Sequence, residues 1–381
     1  MFLAWRDMVF ARTRFLLVGL VLALMSILIV LISGLTTGLV NDGVSGLKAL
    51  DADVIAFEEG TETSSAFTRS TVDLEDADEL AAVGGVEETT PMGLSIVNGR
   101  NQDNTPVDLT MVGVIPGSFI APEGLPALSD DRVEGEPTPT AHEVILSGTL
   151  EDDGISVGDT IALERLETEL TVIGFTEDQR TFGHVALAYA PLDVWQEVHV
   201  GARAGEAASP AAYEQASVIV AQAPDADVET LTAETNLDVV ALEDSFQASP
   251  GYSAETMTLT MIEWFLYIIT ALIAGAFFLV WTIQRSGDIA TMRAIGATRG
   301  FLLRDSLGQA VIILVSSILV GVAIAVGLGL WLETTGMPYA TEAAPIIGGA
   351  VMLFFAGLIG ALIAVYRVTR TDPLTALGEN R

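Results

Sequence analysis

One carboxylate, Glu263, lies inside a long apolar stretch at residues 259–283. A helix rises about 1.5 Å per residue and the hydrocarbon core of a bilayer is about 30 Å thick, so this stretch is long enough to cross a membrane. A carboxylate within such a segment is energetically unfavourable and is therefore, by default, a functional-site hypothesis. By helix rise, Glu263 would lie roughly 10 Å inside one boundary of the membrane.

Glu263 belongs to a stripe of small and polar residues on one face of the predicted helix. The stripe recurs at helical spacing and comprises Thr256, Thr260, Glu263, Tyr267, Thr270, Ala271 and Ala274. Such a stripe indicates either a close contact with another helix or the wall of a cavity. Simpler interpretations remain open: the carboxyl group could be protonated and hydrogen-bonded to a neighbouring helix, and Tyr252, Trp264 and Tyr267 could be interfacial aromatic residues.

The elements that would position this stripe follow from the hydropathy pattern. The sequence predicts four transmembrane helices, at residues 15–39, 257–283, 306–332 and 346–366. Ten of the 17 Lys and Arg residues lie in residues 1–14, 284–305 and 367–381, together with only five acids. Because short basic segments stay in the cytoplasm, we predict a multi-pass plasma-membrane protein with both termini cytoplasmic. Residues 1–14 should form an amphipathic interfacial helix, and residues 333–345 a short outer loop.

Residues 40–256 have the opposite character. They carry most of the acids of a chain whose net charge is -33, and only seven basic residues. Long domains are translocated largely regardless of charge, so we predict one large extracytoplasmic domain with helical stalks. Strands are predicted at residues 51–57, 109–114, 143–146, 160–163, 170–175, 185–189 and 217–221, and short helices at 74–83, 191–198 and 227–235. This pattern is typical of an α+β fold.

Composition excludes several kinds of chemistry. The chain has no cysteine, so disulfides and thiolate metal sites are impossible. We interpret the acidic residues as a solvated surface, because their spacing is not that of a cation site. The strongly negative net charge excludes nucleic-acid binding. The three histidines are well separated and are predicted to be surface or turn residues. The only lysine is Lys48, so there is no Walker lysine, and we predict no enzyme activity and no intrinsic cofactor.

Residues 284–304, QRSGDIATMRAIGATRGFLLR, have features beyond those of a simple connection. Apolar residues recur in them at positions that would form one surface, namely Ile289, Met292, Ile295 and Phe301. Because this segment is predicted to be cytoplasmic, we expect its apolar surface to contact a partner subunit.

The order of one crossing, a large external domain and three further crossings resembles the FtsX/MacB-type permeases of ABC transporters. The segment 284–304 resembles the cytoplasmic loop of that family, R-x-x-E-I-x-x-L-R-A-x-G-A, with Asp288 in place of Glu and Met292 in place of Leu. TDPLTALG near the C-terminus resembles the family's terminal D-P-x-x-A-L. The resemblance implies the type VII ABC architecture and a homodimer, working by mechanotransmission with a separate ATPase subunit that binds ATP and Mg. It also implies a set of ATPase-coupling residues: Asp288, Ile289, Met292, Arg293, Ile295, Gly296 and Ala297.

A narrower resemblance is carried by MFLAWRDM at the start of the chain, by SGLTTGLVNDGVSGLKALDAD at residues 33–53 and by the closing DPLTALG. All three are similar to HrtB-type haem-efflux permeases, which work with an HrtA-type ATPase and clear haem from the membrane lipid. The resemblance implies haem as the transported substrate. Haem iron accepts axial oxygen, nitrogen or sulfur donors. The donors available near the outer leaflet are Glu263, as leading iron ligand, and Tyr252, Tyr267, Met257, Met261 and, deeper, Met25.

Two alternatives remain at the level of sequence. The chain could export another amphiphile, such as a drug, peptide or lipoprotein, or it could be an FtsX-like signal transmitter that controls a cell-wall hydrolase. In each case we expect the dimer contact to come from the small faces of the first and second spans. The small face of the first span comprises Gly19, Ala23, Ser26, Ser33 and Thr37.

Overall fold

The computed structural model describes residues 12–126, 141–206, 208–284, 287, 291–292 and 295–369. Most of the predicted N-terminal helix, the coupling residues Asp288, Ile289 and Arg293, and most of the C-terminal tail lie outside the described residues. The chain divides into two compact units, one formed by Met1–Leu39 with Thr256–Arg381 and one by Val40–Glu255. We call them the membrane unit and the β unit and describe each separately.

Ten α-helices lie in the described ranges. In chain order they are α1 (Arg12–Lys48), α2 (Ala66–Arg69), α3 (Glu75–Ala81), α4 (Thr149–Asp152), α5 (Leu192–Val200), α6 (Val228–Glu234), α7 (Leu242–Ser245), α8 (Tyr252–Gln284), α9 (Arg299–Glu333) and α10 (Ala343–Thr369). Short 3-10 helices cover Pro210–Glu214 and Phe246–Ala248. Four of these helices, α1, α8, α9 and α10, are long and apolar enough to cross a membrane.

The strands lie in the β unit. They are β1 (Val54–Glu58), β2 (Val72–Asp73), β3 (Glu88–Asn101), β4 (Pro106–Val114), β5 (Ala141–Leu146), β6 (Thr160–Leu163), β7 (Glu169–Phe175), β8 (Thr181–Phe182), β9 (Val185–Pro191), β10 (Gln215–Ala216), β11 (Val218–Gln222) and β12 (Leu237–Ala241). All seven strands and all three short helices expected in this region from the sequence are confirmed, with ends shifted by a few residues.

One sheet organises the β unit. Its strand order is β12-β1-β11-β3-β4-β9-β5-β7-β6, and β3 also pairs with β6, so the last six strands form a closed ring of pairings. The long strand β3 makes this possible, because its first half pairs with β11 and its last residues with β6. Two pairs, β4 with β9 and β5 with β7, are parallel. The buried apolar side chains of these strands form the cores of the unit.

Small residues determine how the helices of the membrane unit pack. A Cβ built at Gly321 of α9 would lie 2.6 Å from the carbonyl oxygen of Ala23 on α1, and one built at Gly360 of α10 would lie 2.0 Å from that of Ala271 on α8. Without side chains at these positions the backbones can approach closely. The small face of α1 therefore packs on α9 within the same chain, and much of that of α8 packs on α10. We expected the small faces of the first and second spans to form the contact between two protomers. This expectation is wrong for those small residues that are buried against α9 or α10 of the same chain.

Candidate functional site

Glu263 lies on α8, in the third turn of the helix. Its side chain is half-buried, and it makes no hydrogen bond or ion pair with any residue that the structure describes. Tyr267 follows one turn later on the same face and is buried. Its hydroxyl oxygen lies 3.7 Å from the position a Cβ would take at Gly349 of α10, and its ring makes an edge contact with Trp264 at 6.0 Å between centroids. Tyr267 is thus packed in the bundle, whereas the Glu263 carboxylate has no hydrogen bond or ion pair within the described ranges.

The polar stripe of α8 divides into two parts. In the C-terminal part, Thr270 and Ala274 are completely buried, and the Thr270 hydroxyl donates to the carbonyl oxygen of Leu266 at 2.8 Å. In the N-terminal part, Thr260 is exposed and Glu263 is only half-buried. The chain alone therefore covers one part of the stripe and leaves open the part that contains the carboxylate.

The structure separates several of the predicted donors from Glu263. Met257 and Met261 are 73% and 50% exposed. At 3.6 residues per turn they point about 120° and 160° around the helix from the carboxylate. Tyr252 packs within the β unit, where its ring contacts Phe246 at 6.4 Å. Within one chain these three side chains and Glu263 do not form a common site.

Met25 is half-buried on α1, one turn before Ile29. The Ile29 Cγ2 atom lies 3.2 Å from the Cβ position of Gly349, the same position that the Tyr267 hydroxyl approaches. Met25 is therefore one helical turn away from the packing contact of Tyr267, and the structure shows no direct contact between Met25 and Glu263.

The described part of the segment between α8 and α9 is a sharp helix-to-helix turn. Ala297 N–H donates to the carbonyl oxygen of Met292 at 2.9 Å, and Gly296 has a φ of +106°, a combination that ends a helix and favours glycine. The Thr298 side chain then accepts from Phe301 N–H at 3.2 Å and caps the start of α9. The Ile295 side chain, at the tip of the turn, is 83% exposed. An apolar side chain fixed in this way offers a contact point for another subunit.

A second cluster of charged groups lies in the β unit, at the hairpin between β8 and β9. His184 Nδ1 lies 2.8 Å from Asp42 Oδ2, and its Nε2 lies 3.1 Å from Glu255 Oε2. Burial alone would lower the pKa of His184, but the hydrogen bond to Asp42 and the charges of Glu255 and Asp42 outweigh it and raise the pKa above its usual value. We call Asp42, His184 and Glu255 the hairpin clasp, because they join the end of α1 to the start of α8.

The hairpin geometry explains why the clasp forms. Gly183 and His184 form a two-residue turn with φ of +57° and +65°, as expected for a type I′ hairpin. Gly183 N–H donates to the carbonyl oxygen of Gly43 at 2.9 Å, next to Val44, whose φ of −143° interrupts the helical geometry of α1. The sequence did not predict this cluster, since His184 was expected only to be a surface or turn residue.

The other two histidines differ from each other. His142 was expected to be a surface or turn residue, but it is buried in β5, with its Nε2 atom 3.7 Å from Glu197 Oε2. His199 lies in α5, stacks on Trp195 and is close to Ser95, and burial lowers its pKa. Within the described ranges, no group of three or more His, Asp or Glu side chains is arranged to hold a metal ion.

The chain is thus a four-helix membrane protein with a large, separately folded β unit inserted after its first helix. Comparison with known families gives the class. Residues 15–236 match the model of the MacB-like periplasmic core domain, and residues 260–373 match that of the FtsX-like permease C-terminal region. The chain therefore belongs to the FtsX/MacB-type permeases of ABC transporters, with the type VII architecture, and its β unit is the extracellular domain of that family.

Curated relatives cover nearly the whole chain. Hemin transport system permease protein HrtB of Staphylococcus haemolyticus strain JCSC1435 is 25% identical over 387 residues, which covers 99% of each protein. HrtB of Staphylococcus epidermidis strain ATCC 12228 is 22% identical over 379 residues, again 99% of each. The macrolide export ATP-binding/permease protein MacB of Neisseria gonorrhoeae strain FA 1090 is 24% identical over 327 residues, covering 81% of this chain and 49% of MacB.

Two solved structures are similar to part of the chain. One is the extracellular domain of the ABC-type transporter YknZ from Gram-positive bacteria, 14% identical with a TM-score of 0.31, covering 50% of this chain and 98% of that domain. The other is the periplasmic region of MacB from Actinobacillus actinomycetemcomitans, 14% identical with a TM-score of 0.32, covering 51% and 90%.

Proposed function

We propose that this chain is the permease subunit of an efflux pump that extracts haem from the outer leaflet of the membrane and expels it, driven by a separate ATPase. The observation that carries the proposal is the Glu263 carboxylate, half-buried and without a partner in the described chain, on the open part of the α8 stripe. Two relatives that match nearly the whole chain are named hemin transport system permeases, and their names support haem as the substrate.

The chemistry of haem suits this position. Haem is a flat amphiphile that partitions into bilayers, and its iron accepts an axial oxygen donor such as a carboxylate. An unpaired carboxylate in a membrane segment is costly unless it meets water, a cation or a metal. A haem bound at Glu263 would supply such a metal, so binding would relieve the unfavourable state of the empty site. Tyr267 would position the helix rather than bind iron, because its side chain is already packed against α10.

The site would be completed and operated by other subunits. We infer a homodimer in which the open stripes of two α8 helices face each other across an outer-leaflet gap. An HrtA-like ATPase, with its ATP and Mg, would dock on the Ile295 turn and on residues 284–305, and both termini of the chain would be cytoplasmic. Nucleotide binding would draw the two helices together and hydrolysis would release them. The exposed apolar tip at Ile295 supports this docking surface.

Haem titration of the full-length protein in detergent tests the substrate and the ligand together. Wild-type protein should bind haem with a Soret band that differs from that of free haem. Glu263→Ala and Glu263→Gln should weaken binding at least about tenfold, which corresponds to about 1.4 kcal/mol, and should shift the band. Leu272→Ala, at an exposed position on the apolar side of α8, is the control and should bind like wild type. An unchanged Soret band and affinity in Glu263→Ala would remove Glu263 from the site.

A second assay separates haem efflux from export of another amphiphile, which the MacB relative supports. The reconstituted complex with its ATPase should hydrolyse ATP faster in the presence of haem, and not in the presence of added lipid or peptides. Stimulation by peptides or macrolides instead would favour the exporter alternative. Co-purification of a cell-wall hydrolase on the extracellular domain would favour the signal-transmitting alternative.

A further inference from the structure

A groove lies between α1 and α9 in the membrane unit, away from Glu263. Its volume is about 620 Å³, within the range typical of small-molecule sites. The apolar side chains of Phe15, Leu16, Leu20, Ile313 and Val320 line most of it. The groove is narrow at its base because Gly19 brings the helices together: a Cβ at Gly19 would lie 3.1 Å from Ser317 Oγ.

The length of the groove matches one leaflet of a bilayer. It extends along α1 from Arg12 to Ala23, which is roughly 16 Å by helix rise, or about half of a 30 Å hydrocarbon core. Its wall is mostly apolar over this length. Of the two serines that line it, Ser316 donates its hydroxyl to the carbonyl oxygen of Ile313 at 3.1 Å, and the Ser317 side chain is buried. A hydrocarbon chain that runs parallel to the helices fits this shape and polarity.

One end of the groove is cationic. Arg12 lines that end, is exposed, and makes no hydrogen bond or ion pair with any described residue. Arg14, by contrast, donates to the Gln284 side chain on α8. Arg12 is the only charged side chain that lines the groove among the described residues. A guanidinium that has no partner within the described ranges, at the mouth of an apolar groove one leaflet long, is complementary to a phosphate that carries an acyl chain.

We propose that this groove is a binding site for one anionic glycerophospholipid of the phosphatidylglycerol type. The phosphate would bind Arg12, and one acyl chain would lie along Leu16, Leu20 and Val320. The lining residues include no carboxylate, imidazole, phenol or thioether, so the groove offers haem iron no ligand and is distinct from the Glu263 site. A lipid held there would fill the space between α1 and α9 and stabilise their contact.

Native mass spectrometry of the full-length protein in detergent tests the proposal. The protein is titrated with phosphatidylglycerol or with phosphatidylcholine of the same acyl chains, and the first bound lipid is quantified. Because a cation near an anionic lipid contributes about 1 kcal/mol, wild type should retain phosphatidylglycerol about fivefold more strongly. Arg12→Gln should lower this preference towards one. Ser316→Leu, at an exposed position in the groove, should reduce retention of both lipids, and Gly19→Leu should do so more strongly.

Arg304→Gln is the matched control. Arg304 is an exposed cation on α9 that does not line the groove, and its replacement should leave the preference unchanged. The proposal is overturned if the two lipids bind equally to wild type, or if Arg12→Gln and Ser316→Leu both bind like wild type. Two further results would also overturn it. One is competition by haem for the same site, and the other is cross-linking between two copies through Leu20→Cys that phosphatidylglycerol does not reduce.

Discussion

Gly360 is the residue that shows most directly how closely α8 and α10 pack. A Cβ at this position would lie 2.0 Å from the Ala271 carbonyl oxygen, and backbone atoms cannot move aside as the end of a flexible side chain can. We therefore expect Gly360→Ala to force the two helices apart and to destabilise the protein by about 1–3 kcal/mol. Unfolding of the purified protein by SDS in mixed micelles measures this change.

Gly348, on the same helix, provides the matched control. A Cβ there would meet no atom within 4 Å, so Gly348→Ala should be neutral, or stabilising by up to about 1 kcal/mol through its better helix propensity. Equal losses in both variants would mean that the contact with Ala271 does not limit the approach of the helices.

Single residues also show what the sequence can and cannot predict. Glu263 was found because a charge contrasts with the apolar residues on either side, a local signal. The hairpin clasp was not found, because His184 meets Asp42 and Glu255 at separations of 142 and 71 residues. Only the topology of the folded chain brings these three side chains together, and their spacing in the sequence does not indicate the contact. Likewise, the sequence did not predict that Tyr267 is buried and Met261 is exposed. This difference depends on which sides of α8 are covered by neighbouring helices.

At the scale of elements, the hairpin clasp makes stability depend on pH. The pKa of His184 is raised in the folded protein, so its ion pairs stabilise the fold fully below the unfolded-state pKa of about 6.5 and are lost as pH rises through the folded value. Near pH 5.5, we expect the free energy of unfolding of wild type to exceed that of His184→Gln by at most about 1 kcal/mol. The difference is small because the side chains of Asp42, His184 and Glu255 are partly solvated. The difference should vanish at a pH above the raised pKa, as thermal unfolding of the full chain would show.

His199 supplies a control of opposite sign. Burial lowers its pKa, so the folded protein favours the neutral ring, and its contribution to stability declines as pH falls. The difference in stability between wild type and His199→Gln should thus decrease at low pH. The difference in stability between wild type and His184→Gln should increase at low pH. Any difference in backbone strain between His and Gln at the left-handed position 184 does not depend on pH, so the pH-dependent part of the stability difference reports the charge of His184. A pH-independent difference for His184→Gln would contradict a role for its charge.

The elements themselves were predictable wherever one pattern dominated. Four apolar runs predicted the four long helices, and the helical stalk predicted after the first run is the part of α1 that reaches Lys48. The start of α9 at Arg299, before the third run, was not predicted. Strand β3 was missed, although it is the longest strand described, because Gly93 and Gly99 interrupt its alternating pattern. The structure supplies the reason for Gly93: a Cβ there would lie 2.0 Å from the Trp195 ring. The contact that requires this glycine lies 102 positions away in the sequence.

At the scale of the whole molecule, the proposed dimer would have to use faces that the chain leaves uncovered. Much of the small faces of α1 and α8 is occupied by α9 and α10 of the same chain. The exposed surface of α8 has two distinct parts: the open stripe around Thr260 and Glu263, and the apolar side that includes Leu272. A haem site shared by two protomers requires the first part to face the partner, whereas the second part would face lipid.

The absence of native cysteine allows a direct test of this arrangement. In membranes that contain the ATPase, Thr260→Cys should form a disulfide between two protomers, since its Cβ atoms would approach to about 4 Å when nucleotide draws the α8 helices together. Leu272→Cys, which is also exposed but lies about 120° away around the helix, should stay monomeric on denaturing gels. The Thr260→Cys yield should rise with a non-hydrolysable ATP analogue and fall after hydrolysis, because in the proposed mechanism the gap would close only in the nucleotide-bound state. Cross-linking at Leu272 without cross-linking at Thr260 would show that Glu263 faces away from the partner protomer. A haem site shared by two protomers would then be impossible.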